Sequence, residues 1–220
     1  MSELSEAKSG QQMNDINTIL FDYCGVITDR AGHGSKDGLL AKALGSSVAE
    51  IDAIAEPFYD LVDAGKFSET DFWSKLEQEL GKKIPNDARY WYGINDDKAE
   101  YEPRSMLIQY VKKLKRRGFR TAILSNIGLV TTKNIAKNGW YALFDPVFLS
   151  CEVGLVKPNL DFYEYAVQQL DVQSQRVIFV DDKDKNLIPA RQLGMRTILA
   201  ESAEQIIADV ESLIPDRASV

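Results

Sequence analysis

Polar side chains follow short apolar runs at three separate points of the sequence. They are Asp22 after ILF, Ser125 and Asn126 after AIL, and Asp181 and Asp182 after VIFV. Short apolar runs bounded by turn residues predict buried strands, and open α/β sheets bind ligands at the carboxyl ends of their strands. A buried carboxylate is costly unless it is paired or binds a cation. We therefore expect these side chains to meet in one functional site.

A lysine and an asparagine extend this set. Lys157 lies directly before Pro158 and the helix-capping Asn159, and Asn186 follows the Asp181–Asp182 pair. Taken singly, Ser125 is better explained as a helix cap and Lys157 as an exposed lysine. Carboxylates, a hydroxyl and an ammonium that converge on one sheet edge are instead typical of a phosphoryl and metal site.

The second half of the chain alternates strand and helix patterns. Strands are predicted at 17–22, 121–125, 146–150, 177–181 and 196–200, and helices up to Gly118 and over about 130–138, 159–170, 187–193 and 203–213. Apolar strands without polar alternation, each followed by a helix, predict a parallel sheet covered on both faces. The expected fold class is α/β, with a doubly wound, Rossmann-like core.

Residues 29–98 differ from the rest of the chain because they contain no convincing strand. Helical patterns cover 39–45, 48–65 with a break at Pro57, and 68–81, where Ser68 and Asp71 have capping-box spacing. We expect a small helical cap at 29–98, inserted into a core made of 15–28 and 99–220. Residues 1–14 are expected to be a flexible tail.

Composition excludes several function classes. The net charge of −7 argues against nucleic acid as a partner, and the basic run KKLKRRGFR fits the last turn of an amphipathic helix. Two cysteines and one histidine offer no zinc site, and no apolar run approaches the length of about 20 residues that a membrane span needs. The polar N-terminal stretch has no signal-peptide pattern, so a cytoplasmic protein without a membrane segment is expected.

Four ordered motifs, FDYCGVITD, ILSN, GLVKPNLDFY and FVDDKDKNLIPARQLGM, resemble those of the haloacid dehalogenase-like hydrolase superfamily. The last motif is most similar to that of the phosphatase domain of soluble epoxide hydrolases and of small sugar-phosphate phosphatases. The resemblance implies a Mg²⁺ cofactor and a small phosphorylated metabolite as partner. We expect either a monomer or a homodimer. In the implied site, Asp22 is the nucleophile, and the metal ligands are Asp22, the backbone carbonyl of Cys24 and Asp182, supported by Asp181 and Asn186. The substrate is bound by Ser125, Asn126 and Lys157, of which Ser125 and Lys157 hold phosphoryl oxygens during catalysis.

Cys24 departs from this family pattern. Most phosphatases of the superfamily have at this position an aspartate that protonates the leaving group and then activates water. A thiol among carboxylates has a raised pKa and is a poor general base. Three hypotheses follow: a Mg²⁺-dependent phosphatase with an aspartyl-phosphate intermediate, which we favour; a non-catalytic phosphate-binding or regulatory protein; and a 2-haloacid dehalogenase. His33 is a candidate substitute proton donor, although a solvated position in a loop explains it better.

Overall fold

A five-stranded parallel sheet forms the centre of the fold. The computed structural model describes residues 16–28, 40–86, 88–89, 103–129, 132 and 136–215. The strands are β1 (Thr18–Phe21), β2 (Arg120–Ser125), β3 (Val147–Leu149), β4 (Val177–Asp181) and β5 (Arg196–Leu199), in the spatial order β3-β2-β1-β4-β5. This order places β1 between β2 and β4, so the strands that precede Asp22, Asn126 and Asp182 are direct neighbours.

Both faces of the sheet are buried, which explains the unbroken apolar strands. In β1, Ile19 and Phe21 belong to one hydrophobic cluster, whereas Leu20 belongs to the cluster on the opposite face. Neighbouring side chains of a strand point to opposite faces, so a strand buried on both sides needs apolar residues at every position. The predicted α/β class with a doubly wound sheet is confirmed.

Helices cover the two faces. One face packs against α3 (Ser105–Arg116) and α7 (Ala203–Leu213), and the other against α5 (Leu160–Leu170) and α6 (Asp184–Gln192). The short helix α4 (Ser150–Val153) directly follows β3. Two helices precede these along the chain, α1 (Val48–Asp63) and α2 (Glu69–Leu80), and residues 40–44 are also helical.

Three predicted boundaries were wrong. Ser150 begins α4 instead of ending a strand, and α6 begins at Asp184 instead of Leu187, because its first turn carries only polar and charged residues. Pro57 does not break α1, which continues to Asp63. The exposed position of Pro57 explains this, since water can solvate the carbonyl that loses its intrahelical donor. Most of the helix predicted at about 130–138 lies outside the described residues.

The described part of the predicted cap has a hydrophobic cluster of its own. Trp73, Leu76, Phe72 and Ala55 lie almost fully buried in this cluster, which draws its members from residues 40–88. Both α1 and α2 begin with the reciprocal hydrogen bonds of a capping box, at Ser47 with Glu50 and at Ser68 with Asp71. The capping box at Ser68 confirms the predicted start of α2. The exact domain boundaries stay a prediction.

None of the helices in the described ranges is both long enough and apolar enough to cross a membrane.

Candidate active site

Asp22 lies at the carboxyl end of the central strand. Its backbone N–H still donates to Val180 O at 2.8 Å, so the ladder with β4 holds it in place, and the residue is only 6% exposed. Three groups donate to the same carboxylate oxygen, Oδ1: the Tyr23 N–H at 2.7 Å, the Ser125 hydroxyl at 2.7 Å and the Lys157 ammonium at 2.9 Å. In the described part of the chain, no hydrogen bond to Oδ2 is found, so this oxygen keeps its lone pairs for chemistry.

Lys157 is a buried ammonium between two carboxylates. Its Nζ lies 2.9 Å from Asp22 Oδ1 and 2.6 Å from Asp181 Oδ2, and the side chain is 1% exposed. Burial lowers the pKa of an ammonium, but the charges of Asp22 and Asp181 outweigh burial and raise the pKa of Lys157. Lys157 therefore stays charged over the whole physiological range, and a pairing of this kind excludes the exposed position considered from the sequence.

Asp181 is fully buried and uses both of its oxygens. Oδ2 accepts from Lys157, and Oδ1 accepts from the Lys183 N–H and the Asn186 amide, each at 2.9 Å. The Tyr163 hydroxyl donates to the Asn186 carbonyl at 2.7 Å and so fixes the residue that supports Asp181. Burial raises the pKa of Asp181, while the Lys157 ammonium acts in the opposite direction. Asp181 therefore orients the Lys157 ammonium and the Asn186 side chain.

Asn126 connects the loop after β2 to the backbone of Lys157. Its side-chain amide donates to the Lys157 carbonyl at 2.9 Å, and its side-chain oxygen accepts from the Lys157 N–H at 2.7 Å. This reciprocal pair sets the position from which the long Lys157 side chain reaches Asp22. Asn126 thus has a structural task that its place in the sequence does not reveal.

Asp182 lies against the turn that follows Asp22. Gly25 has a φ of +88°, and a Cβ added there would lie 2.3 Å from Asp182 Oδ2. Both the left-handed backbone and the close approach of the carboxylate require glycine at this position. The turn itself is held by the Tyr23 carbonyl, which accepts from the Ile27 N–H at 2.9 Å. Gly25 therefore allows the Asp182 carboxylate to lie close to the turn that follows Asp22.

The three aspartates form a cluster suited to a hard cation. Asp22, Asp181 and Asp182 each offer a carboxylate oxygen, and these oxygens all lie within 4.8 Å of one another. Oxygen ligands of this kind are those that Mg²⁺ prefers, so the donor set fits the ion implied by the motifs. Both oxygens of Asp181 already accept from protein groups, whereas all three donors to Asp22 use Oδ1. Asp22 and Asp182 are therefore the better direct ligands and Asp181 the better supporting residue.

Cys24 lies between Asp22 and Gly25 in this turn and is half-buried. Burial first, and the charge of Asp22 second, raise the pKa of the Cys24 thiol to about 12. The thiol is therefore neutral at physiological pH and does not supply a base. This raised pKa agrees with the one expected for a thiol among carboxylates.

One acidic side chain near the site escaped the sequence analysis. Asp63 is the last residue of α1, and the charges of Asp22, Lys157 and Lys183 all act on its carboxyl. Nothing in the local sequence LVDAGKF distinguishes it from a surface aspartate at a helix end, because its neighbours come from distant parts of the chain.

The cap aromatics mostly serve packing. Phe58 stacks on Phe67, Tyr59 stacks on Phe72, and Trp73 is buried in the cap cluster. These contacts hold the helices of this part of the chain together. His33, the candidate substitute proton donor, lies outside the described residues.

The sequence is similar to those of a phosphatase and of an epoxide hydrolase. The chain is 27% identical over 156 residues to a sesquiterpene phosphatase from Aspergillus oryzae. The aligned segment covers 64% of this chain and 79% of that protein. The chain is also 32% identical over 112 residues to bifunctional epoxide hydrolase 2 from Rattus norvegicus. This aligned segment covers 49% of this chain but 20% of that protein. The match to the epoxide hydrolase thus concerns about a fifth of its length.

Solved structures share the fold. A haloacid dehalogenase-like hydrolase from Porphyromonas gingivalis superposes with a TM-score of 0.68 at 24% identity, covering 92% of this chain and 99% of that one. A family enzyme from Bacteroides thetaiotaomicron in complex with magnesium and inorganic phosphate superposes with a TM-score of 0.63 at 19% identity, covering 84% and 94%.

The match to a family model extends over both the core and the inserted helices. The model of the haloacid dehalogenase-like hydrolases matches residues 16–194, which include Asp22, Ser125, Lys157 and the Asp181–Asp182 pair. With the parallel sheet, the arrangement of these residues at its carboxyl edge and the shared fold of the solved structures, this match shows that the chain belongs to the haloacid dehalogenase-like hydrolase family.

Proposed function

We propose that the protein is a Mg²⁺-dependent phosphatase that transfers the phosphoryl group of a small phosphorylated metabolite to Asp22 and then to water. The observation that carries the proposal is the sharing of Asp22 Oδ1 among Ser125, Lys157 and a backbone N–H, beside two further carboxylates. A nucleophilic carboxylate held in this way is suited to in-line attack on phosphorus.

Asp22 and Asp182, with the backbone carbonyl of Cys24, are the groups proposed to hold Mg²⁺. When bound, the ion neutralises negative charge on the phosphoryl oxygens and so lowers the repulsion between two anions. Asp181 and Asn186 support this arrangement through their mutual hydrogen bond at 2.9 Å. Gly25 supports it by allowing the close approach of Asp182.

The chain's own residues divide the reaction between them. Lys157 and the Ser125 hydroxyl are both buried beside Asp22 and hold phosphoryl oxygens. The fixed positive charge of Lys157 stabilises the negative charge on these oxygens. An oxygen of Asp22 attacks phosphorus, and the bond to the leaving oxygen breaks. Water then attacks the phosphorus of the aspartyl phosphate, which releases phosphate and restores the Asp22 carboxylate. Asn126 positions Lys157 for both steps.

The comparisons support phosphoryl chemistry. The matched relatives include a sesquiterpene phosphatase and a glyceraldehyde 3-phosphate phosphatase from Methanocaldococcus jannaschii, and one solved structure of the same fold contains magnesium and inorganic phosphate. The two phosphatase names favour a phosphate ester over a haloacid as the substrate. The solved structures of this fold do not distinguish the two, since they include L-2-haloacid dehalogenases as well. The pair Asp181–Asp182 also favours the phosphatase, because a dehalogenase attacks carbon and needs no metal site.

Several assignments belong to the same proposal. They are a helical cap over 29–98 on a core formed by 15–28 and 99–220, a cytoplasmic location, and a monomeric or homodimeric state. The cap would cover the sheet edge and exclude water while the phosphoryl group is transferred.

An activity panel distinguishes the three hypotheses. The protein is assayed with a set of phosphate esters and with chloroacetate, each in EDTA and in Mg²⁺. A phosphatase hydrolyses esters only with Mg²⁺, and a dehalogenase releases chloride in EDTA as well. A binding protein gives no turnover but binds phosphate in the presence of Mg²⁺.

A further inference from the structure

The end of helix α1 lies over the carboxyl edge of the sheet. The Val62 side chain, next to Asp63, has its Cγ1 3.4 Å from the position that a Cβ on Gly128 would occupy. Gly128 follows Ser125 and Asn126 in the loop after β2. This contact places the last turn of α1 against the loop that directly follows Ser125 and Asn126.

A second contact fixes the chain directly after Asp63. Gly65 has a φ of +67°, and a Cβ added there would lie 2.5 Å from the backbone carbonyl oxygen of Cys151. Cys151 belongs to α4, which begins where β3 ends, and α1 contacts α4. Asp63 is therefore held between contacts with the loop after β2 and with α4, and the charges of Asp22 and Lys157 act on its carboxyl.

Charged groups from several parts of the chain act on Asp63. Burial first, then Asp60 on the same helix and Asp22 on β1, raise the pKa of Asp63 to about 7, and the ammonium groups of Lys183 and Lys157 oppose them. Two thiols lie near this carboxyl, those of Cys24 and Cys151, whose pKa values are raised first by burial and to a smaller extent by the charge of Asp63. A carboxyl with such a pKa is present in both protonation states at neutral pH, which is what acid and base catalysis in one cycle requires.

We propose that Asp63 is the general acid and base that position 24 lacks. The proposal rests on the phosphatase function proposed above. In the first step Asp22 forms a bond to phosphorus, the bond from phosphorus to the leaving oxygen breaks, and the Asp63 carboxyl gives its proton to that oxygen. In the second step the Asp63 carboxylate takes a proton from the attacking water, and the bond from phosphorus to Asp22 breaks. Each cycle thus returns Asp63 to its protonated form.

The test compares two matched substrates. 4-Nitrophenyl phosphate has a good leaving group, whereas 4-nitrobenzyl phosphate is an alkyl ester that needs protonation. Asp63→Asn keeps the shape of the side chain and is expected to lower kcat/KM for the benzyl ester by about 10²–10⁴-fold, the range for a single general acid. The loss for the nitrophenyl ester is expected to stay below about tenfold, since that leaving group needs little protonation.

Asp60→Asn is the control on the same helix. It is expected to keep the benzyl ester rate within about threefold at its pH optimum, because it removes no proton donor. Since the charge of Asp60 raises the pKa of Asp63, this variant should also move the basic limb of the pH profile to lower pH. In Asp63→Asn that limb should be absent, and adding Cys24→Asp in this background should restore part of the benzyl ester rate.

A measurement without turnover checks that the carboxyl is in its stated environment. In EDTA, the melting temperature of the wild type should fall relative to that of Asp63→Asn as the pH rises from 4 to 8. A carboxyl with a raised pKa stabilises the folded state at low pH and loses this contribution as the pH rises through that pKa. Asp63→Ser should reproduce the kinetic result if Asp63→Asn does not fold.

Two results overturn the inference, and they are distinguishable. If the wild type hydrolyses both esters and Asp63→Asn shows the same ratio of rates and the same basic limb, Asp63 is not the proton donor while the phosphatase function stands. If the wild type hydrolyses neither ester with Mg²⁺, the phosphatase function fails, and the inference fails with it.

Discussion

Replacing Lys157 by methionine removes the one ammonium that separates Asp22 from Asp181. Methionine has a similar length and no charge, so the variant leaves two nearly buried carboxylates without their shared partner. Loss of one partner from a buried ion pair costs about 3–5 kcal/mol. For a domain of this size each kcal/mol lowers Tm by about 2–4 °C, so we expect a fall of about 6–20 °C in EDTA. Urea unfolding followed by circular dichroism measures the free energy directly.

Two comparisons isolate the charge effect. Lys185→Met changes an exposed lysine in α6 and should alter the unfolding free energy by less than about 0.5 kcal/mol. Adding Mg²⁺ should recover more stability in Lys157→Met than in the wild type, because a bound cation stabilises only the folded state and here compensates two uncovered carboxylates. Activity should not return, since the variant lacks the group proposed to hold phosphoryl oxygens.

The loss of unfolding free energy in Lys157→Met should also depend on pH. Burial raises the pKa of Asp181, and removal of Lys157 deletes a cause that lowers it, so the pKa rises further in the variant. A raised pKa means that stability is present at low pH and lost as the pH increases. Lys157→Met should therefore be closer to the wild type at pH 5 than at pH 8. A free energy of unfolding within about 1 kcal/mol of the wild type at pH 8 in EDTA would refute the buried pairing.

Three further variants test other parts of the site. Asp182→Asn should abolish Mg²⁺-dependent turnover with unchanged circular dichroism, and turnover that survives in this variant would remove Asp182 from the metal site. Gly25→Ala should raise the Mg²⁺ concentration needed for half-maximal rate by roughly tenfold, because a Cβ would meet the Asp182 carboxylate in a left-handed turn. Cys24→Asp in the wild-type background should change the dependence of kcat/KM on the leaving group little, because Asp63 is proposed to donate the proton already, and a clear gain for alkyl over aryl phosphates would contradict this.

The strands were predictable because burial on both faces leaves little freedom of sequence. β4 was predicted with its observed bounds, Val177–Asp181, since VIFVD is apolar until the residue that enters the site. The start of α6 was missed because apolar periodicity begins only at Leu187, whereas hydrogen bonding begins in the polar turn before it. The continuity of α1 through Pro57 depends on which side of the helix faces solvent, and this is a tertiary property.

The convergence of the site residues was predictable, but their partners were not. Parallel topology brings Asp22, Ser125 and Asp181 to one edge once the strand order places β1 in the middle. That Lys157 bridges two of these carboxylates depends on the reach of its side chain and on the Asn126 contacts to its backbone. Asp63 had no sequence signal, because its pKa depends on charges from other elements that come near it only when the inserted helix packs on the core.

The central claim is that Asp22 becomes phosphorylated during turnover. The most direct measurement is mass spectrometry of the wild type and of Asp22→Asn after acid quench during hydrolysis of 4-nitrophenyl phosphate with Mg²⁺. Our account predicts a phosphoryl adduct on the peptide that contains Asp22 in the wild type, and neither adduct nor turnover in Asp22→Asn. Turnover of Asp22→Asn at a rate near that of the wild type, or an adduct on a different residue, would contradict it.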